Sequence, residues 1–150
     1  MTRPVLVSAC LLGRECRYDG RHNRDEVLLR ELRRRGEEAV PFCPEEEGGL
    51  RTPRPPAWIQ GSAAEVVEAT GRVVTDAGED VTEAFLRGAR KALATCELHG
   101  IERAYLKERS PSCGVCRTHV DNELVAGPGV TAELLRRAGV EPVGVEGRRA

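Results

Sequence analysis

Six cysteines are the residues of this chain best equipped for chemistry: Cys10, Cys16, Cys43, Cys96, Cys113 and Cys116. A thiolate is both a nucleophile and a metal ligand, so the count points to a disulfide framework, to metal binding or to thiol chemistry. With 150 residues, 40% of them hydrophobic, the chain can build a core without the disulfide staples of small secreted domains. That leaves metal or thiol chemistry in a reducing compartment. Glu45 follows Cys43 by two residues, and Ser110 and Ser112 precede Cys113 by three and one. A carboxylate and a hydroxyl beside a metal can handle protons or activate water. From spacing alone, however, Glu45 to Glu47 reads as a solvated acidic turn and Ser110-Pro111-Ser112 as turn chemistry. His22, His99 and His119 have no ligand spacing.

Composition narrows the partners. Lys and Arg number 23 against 24 Asp and Glu, a formal net charge of -1, without the basic excess of nonspecific nucleic-acid binders. The only aromatic residues are Tyr18, Phe42, Trp58, Phe85 and Tyr105, too few for a base-stacking platform. Nucleic acid is therefore not an expected partner. No apolar run approaches the roughly 20 residues of a membrane span. Val7-Ser8-Ala9-Cys10 matches a lipoprotein cleavage pattern, but the stretch before it is shorter than the roughly 7 to 15 apolar residues of a signal core. A cytoplasmic location is expected. Neither a Gly-x-Gly-x-x-Gly turn nor a phosphate-binding Gly-Lys-Ser/Thr loop occurs, which removes the main support for nucleotide binding.

The elements that must position these cysteines alternate between strand and helix. Pro4 to Ala9 is apolar and β-branched and reads as a buried strand ending at Cys10. A helix follows, capped by Asn23 or Asp25, with a Val27, Leu28, Leu32 stripe and a stop at Gly36. Ala39 to Phe42 reads as a second strand ending at Cys43. Pro44 to Pro56, with four prolines and two glycines, reads as a stiff loop without regular structure, its Pro53-Arg54-Pro55-Pro56 run a rigid wall beside a site rather than a proline-rich ligand. Glu65 to Ala69 and Arg72 to Thr75 flank Thr70-Gly71 and read as a β-hairpin. Asp80 and Glu83 form a capping-box variant ahead of a long helix through Cys96, ended by Gly100. Ile101 to Leu106 reads as a third strand, Glu123 to Ala126 as a short one, Thr131 to Ala138 as a helix and Val140 to Val145 as a last strand. The predicted fold class is α/β: one domain over 1–150, with a mostly parallel, Rossmann-like sheet, helices on both faces and a β-hairpin.

Cys10, Cys43 and Cys113 then fall just beyond the carboxyl ends of the first three core strands. That edge of an open parallel sheet is where ligands bind, so residues distant in sequence converge there. Structural zinc recruits closely spaced ligand pairs, and only Cys113 and Cys116 have that spacing. An iron-sulfur cluster accepts dispersed cysteines, and three of them leave one iron open. Cys116 is a candidate fourth ligand, Cys16 a spare ligand or a packed thiol, and Cys96 a core residue in register with the apolar stripe of its helix. Arg14, Arg17, Lys107 and Arg109 are candidates to balance thiolate charge.

Several long motifs occur in order: Val7-Ser8-Ala9-Cys10-Leu11-Leu12-Gly13, Cys16-Arg17-Tyr18-Asp19-Gly20, Cys43-Pro44-Glu45 with Gly48-Gly49-Leu50, and Thr52-Pro53-Arg54-Pro55-Pro56-Ala57. Gly78-Glu79-Asp80-Val81-Thr82, Lys107-Glu108-Arg109-Ser110-Pro111-Ser112-Cys113-Gly114 and Gly129-Val130-Thr131-Ala132 follow. Together they resemble the thiouracil desulfidase family over nearly the whole chain. The resemblance implies a 4Fe-4S cluster held by Cys10, Cys43 and Cys113, with Glu45 and Ser110 as a proton-handling pair. It implies a small thiolated pyrimidine or similar thioamide as substrate, and a non-redox hydrolysis releasing sulfide. The chain departs from similar sequences after Gly114, where Val115-Cys116-Arg117-Thr118-His119 stands in place of small residues and an aromatic-containing turn. Two rival expectations are a non-catalytic iron-sulfur sensor or electron carrier with Cys116 as fourth ligand, and a zinc domain pairing Cys113 and Cys116 with Cys10 and Cys43.

Overall fold

Along Val5, Leu6 and Val7 successive side chains point to opposite sides, and each side meets a different set of apolar partners. In the computed structural model, which describes residues 2–150, the chain runs β1 (Arg3–Ser8), a 3-10 turn (Ala9–Leu12), α1 (Glu26–Arg34), β2 (Glu37–Phe42), α2 (Pro44–Glu47), β3 (Ala57–Gln60) and α3 (Ala63–Val67). It continues through β4 (Arg72–Thr75), α4 (Thr82–His99), β5 (Arg103–Lys107), β6 (Arg117–Val120), β7 (Glu123–Ala126), α5 (Val130–Arg137) and β8 (Glu141–Val145). Strands β2-β1-β5-β8 form a four-stranded, wholly parallel sheet. Val5 and Val7 pack with Leu28 and Leu32 of α1 on one face. Leu6, Ala104 and Leu106 pack with Ala92 and Cys96 of α4 and Leu135 of α5 on the other. The expected α/β class, with helices on both faces of a parallel sheet, is observed. Cys96 is a core residue, and burial pushes its thiol up to about 11.

Asp25, not Asn23, caps α1: its side chain accepts the Leu28 N–H at 2.9 Å, an arrangement worth about 1 kcal/mol. Asn23 instead turns its amide toward Cys10. The strand order places β2 and β5 on opposite sides of β1, so the connections diverge there, which is the switch point where α/β sheets bind ligands.

A second four-stranded sheet, β4-β3-β6-β7, is mixed. Here the expectations need correction. Glu65 to Ala69 is not a strand: Ser62 accepts the Glu65 N–H and starts α3, so the local cap and its alanines prevail over the β-branched pair Val66-Val67. The antiparallel partner of β4 is β3, which begins directly after Pro56. The β6–β7 hairpin closes through Asp121 and Asn122, both at positive φ, the geometry of a two-residue primed turn. Pro44 to Pro56 is not wholly irregular either. Pro44 occupies the first position of α2, where its missing N–H costs nothing. Among the described residues, no helix is long and apolar enough to cross a membrane.

Candidate active site

The carboxyl ends of β1, β2 and β5 open into a cavity of about 650 Å3. Ser8 of β1 stands opposite Phe42 of β2 in register, so the residues that follow them emerge side by side. Cys10 leaves in the 3-10 turn closed by Gly13, whose φ of 104° is a left-handed value that favours glycine. Cys43 immediately precedes α2 and Glu45 lies within its single turn. Cys113 arrives on the turn after β5. Cys10, Cys43 and Cys113 all line the cavity, together with Glu45 and Ser110. The structure therefore brings together the five residues singled out from sequence and resemblance.

It adds a fourth thiol. Cys16 is buried in the same wall, and its ligand atom lies within 4.8 Å of those of Cys43 and Glu46. Cys116 is exposed and is not among the cavity-lining residues. This arrangement offers no support to a fourth ligand at Cys116 or to a Cys113–Cys116 zinc pair.

The surroundings shift the four thiols in different directions. A bond from Cys16 holds the Cys10 thiol down at about 7 against desolvation, with help from the Asn23 amide at 3.6 Å. Cys16 likewise lowers Cys43, where the Glu46 backbone N–H and the Arg54 guanidinium assist against burial. Cys16 itself is pushed far up by these two partners and then by burial. Burial pushes Cys113 up, only partly offset by a hydrogen bond from Ser8. Metal coordination deprotonates such a thiol outright.

Ser110 serves the turn as well as the cavity. Its Oγ accepts the backbone N–H of Ser112 at 3.1 Å and of Cys113 at 3.0 Å, so it fixes the backbone that carries Cys113. With its oxygen engaged twice, its hydroxyl hydrogen is free to be donated. Glu45 lies 3.3 Å from Arg54 through Oε2.

Of the candidate cations, Arg17, Lys107 and Arg109 line the cavity and Arg14 does not. Arg54 lines the cavity as part of the Pro53–Pro56 wall, without a role of its own in the sequence reading, and Trp58, Tyr18 and His119 were missed as lining residues. Arg54 and Trp58 sit in or next to the proline-rich stretch, which gave no periodicity from which to orient them. His119 is held by a 2.7 Å bond between Nδ1 and the Arg109 carbonyl, a contact between segments that sequence spacing does not show. The stretch after Gly114 that departs from similar sequences leads into β6, and its backbone N–H groups at Val115, Cys116 and Arg117 bind the Glu108 carboxylate.

The donor set fits a thiophilic metal group. Four buried thiols share one cavity and none is in a disulfide. The Nε of Arg54 is also buried in its wall without a hydrogen-bond partner, leaving a donor suited to an anionic occupant.

Comparison with known proteins gives the same class. The family model for 2-thiouracil desulfurase matches residues 5–146, and the chain belongs to that family. An uncharacterized protein of Bacillus subtilis (strain 168), YbbK, is 43% identical over 139 residues, covering 90% of this chain and 91% of its own. The solved structure of a 4Fe-4S-dependent thiouracil desulfidase, TudS, is similar with a TM-score of 0.82 and 45% identity, over 95% of this chain and 91% of that one.

Proposed function

We propose that this protein removes sulfur from a small thiolated pyrimidine, such as 2-thiouracil, on a 4Fe-4S cluster held by Cys10, Cys43 and Cys113. The observation that carries the reading is the convergence of three thiols, from the ends of three parallel strands, on one cavity that also holds Glu45 and Ser110. Family membership and the likeness to a 4Fe-4S-dependent desulfidase support it. When bound, a cluster with three protein ligands supplies a Lewis-acidic iron able to take a substrate sulfur.

The chain's own residues supply the rest. Trp58 and Tyr18 give the cavity flat apolar walls against which a planar ring can lie. Arg54 engages Oε2 of Glu45, leaving Oε1 to accept a proton from water. The resulting hydroxide adds to the carbon that bears sulfur. Ser110 keeps its hydroxyl hydrogen and uses it to hydrogen-bond the polar edge of the ring, while Glu45 passes the proton taken from water to the departing sulfur and the added hydroxyl releases the second. The carbon–sulfur bond breaks, and the two hydrogens of water leave with sulfur, so thiouracil plus water gives uracil plus hydrogen sulfide without oxidation or reduction.

Replacement of Glu45 by Gln tests the assignment of the base. The amide keeps the shape of the side chain and loses the proton acceptor. Reconstituted Glu45→Gln protein is expected to bind iron as the parent does and to lose turnover of 2-thiouracil by at least about 100-fold. Substantial sulfide release by this variant would remove Glu45 from the role.

A further inference from the structure

Arg54 stands apart from the other cations of the chain. It is 8% exposed, and among the described residues it is the one lysine or arginine that is buried. A guanidinium leaves solvent only where its planar fork finds partners that offset the lost hydration. Nη2 donates to the Cys16 carbonyl at 2.8 Å and lies 3.3 Å from Glu45 Oε2. Nη1 donates to Thr52 Oγ1 at 2.8 Å and to the Arg51 carbonyl at 3.3 Å. Thr52 Oγ1 in turn donates to Glu46 Oε2 at 2.6 Å. One side chain thus ties α2, directly at Glu45 and through Thr52 at Glu46, to the loop that carries Cys16.

A second cavity of about 230 Å3 adjoins this fork, lined by Gly49, Leu50, Thr75 and Glu79 among others, and Glu45 and Arg54 line both cavities. Their ion pair is therefore part of the partition between the two. Between the two cavities, the guanidinium is a fixed partner that constrains the rotamer of the carboxylate. The backbone of Arg54 is anchored independently, since its N–H donates to the Tyr18 carbonyl at 2.7 Å.

We propose that Arg54 is the positioning residue of this site, holding the Glu45 carboxylate at the cavity wall through Oε2 so that Oε1 faces the water to be activated. The proposal rests on the reading of Glu45 as the base. It requires the fork as well as the charge: a lysine ammonium is a single point and cannot engage Glu45, the Cys16 carbonyl and Thr52 together.

A double-mutant cycle on the reconstituted full chain tests it. Arg54→Gln, Glu45→Gln and the double variant are compared by iron content, by the electron paramagnetic resonance spectrum of the reduced cluster, and by kcat and KM for 2-thiouracil. Single-turnover rates with enzyme in excess keep slow variants measurable. Arg54→Gln is expected to retain iron and the parent spectrum, to lower kcat about 100-fold with little change in KM, and to add almost nothing in the Glu45→Gln background. Arg54→Lys is expected to recover only part of the rate.

Losses that multiply in the double variant would show that Arg54 acts independently of Glu45 and would overturn the proposal, as would parental turnover by Arg54→Gln beside an inactive Glu45→Gln. A fully active Glu45→Gln would instead strike down the base assignment, and this proposal with it. Loss of iron from Arg54→Gln would assign the side chain to cluster retention and also count against positioning. If Arg54→Gln does not fold, the same cycle run with Arg54→Lys is judged by the same coupling.

Discussion

Cys16 favours the thiolate forms of Cys10 and Cys43 while its own thiol is raised by the same two neighbours. This division of labour gives Cys16 a role without making it a ligand. Reconstituted Cys10→Ser, Cys43→Ser and Cys113→Ser are each expected to lose the cluster, read as iron per chain and visible absorption. Cys16→Ser should retain it, since a hydroxyl still donates, and so should Cys116→Ser, whose side chain is exposed. Loss of iron from either of the last two would rewrite the ligand set. The three strand-end cysteines were legible because strand ends are legible: an apolar β-branched run stopping at a cysteine places that residue on the sheet edge. Arg54 was not. Its burial depends on Glu45 and on the Cys16 carbonyl, 38 residues away in sequence, and nothing local separates it from the exposed arginines.

The short helix α2 positions both Cys43 and Glu45, and its place is set by two glycines. A Cβ at Gly88 of α4 would lie 1.9 Å from the Pro44 carbonyl oxygen, and one at Gly48 would lie 2.0 Å from that of Ala84. Alanine at position 88 gains up to about 1 kcal/mol of helix propensity. Because the obstacle is backbone, α2 must move, and such overpacking costs about 1–3 kcal/mol. Gly88→Ala is expected to lower the urea unfolding midpoint and to slow turnover through displaced Cys43 and Glu45. Unchanged stability and rate would show that α2 docks loosely. Elements with strong hydrophobic periodicity, such as β1, α1, α4 and α5, could be read from sequence. Strands β3 and β6 are four residues each and take their pairing from distant partners, and α3 owes its start to one serine cap. The signal for the β6–β7 hairpin was present in Asp121-Asn122, a pair that tolerates positive φ, although the flanking residues hardly alternate.

At the scale of the molecule, the two sheets meet at Glu108. Its N–H bonds to Val145 of β8, and its carboxylate accepts the N–H groups of Val115, Cys116 and Arg117 leading into β6. Burial alone would raise the Glu108 carboxyl, but these donors outweigh it and hold it below the ordinary glutamate value. A carboxylate depressed on folding contributes stability that is fully present above its unfolded value of about 4.3 and is lost as pH falls through its folded value. Arg137 and Arg136 give Glu133 the same sign, again against burial. The thermal midpoint is therefore expected to drop on acidification below about pH 4.3, and Glu108→Gln to start from a lower midpoint with a flatter acid limb. An acid limb identical to the parent would mean that this junction does not couple the sheets. In the proposed function, the fold presents three thiols and a carboxylate to one thiolated ring. The most direct test is anaerobic reconstitution of the chain with iron and sulfide, removal of excess sulfide and addition of 2-thiouracil, with bound iron, released sulfide and uracil measured in the same sample. A full 4Fe-4S complement and catalytic release of sulfide and uracil in equal amounts are expected. A full cluster that releases neither product, or a protein that takes zinc and no iron, would contradict the proposed function.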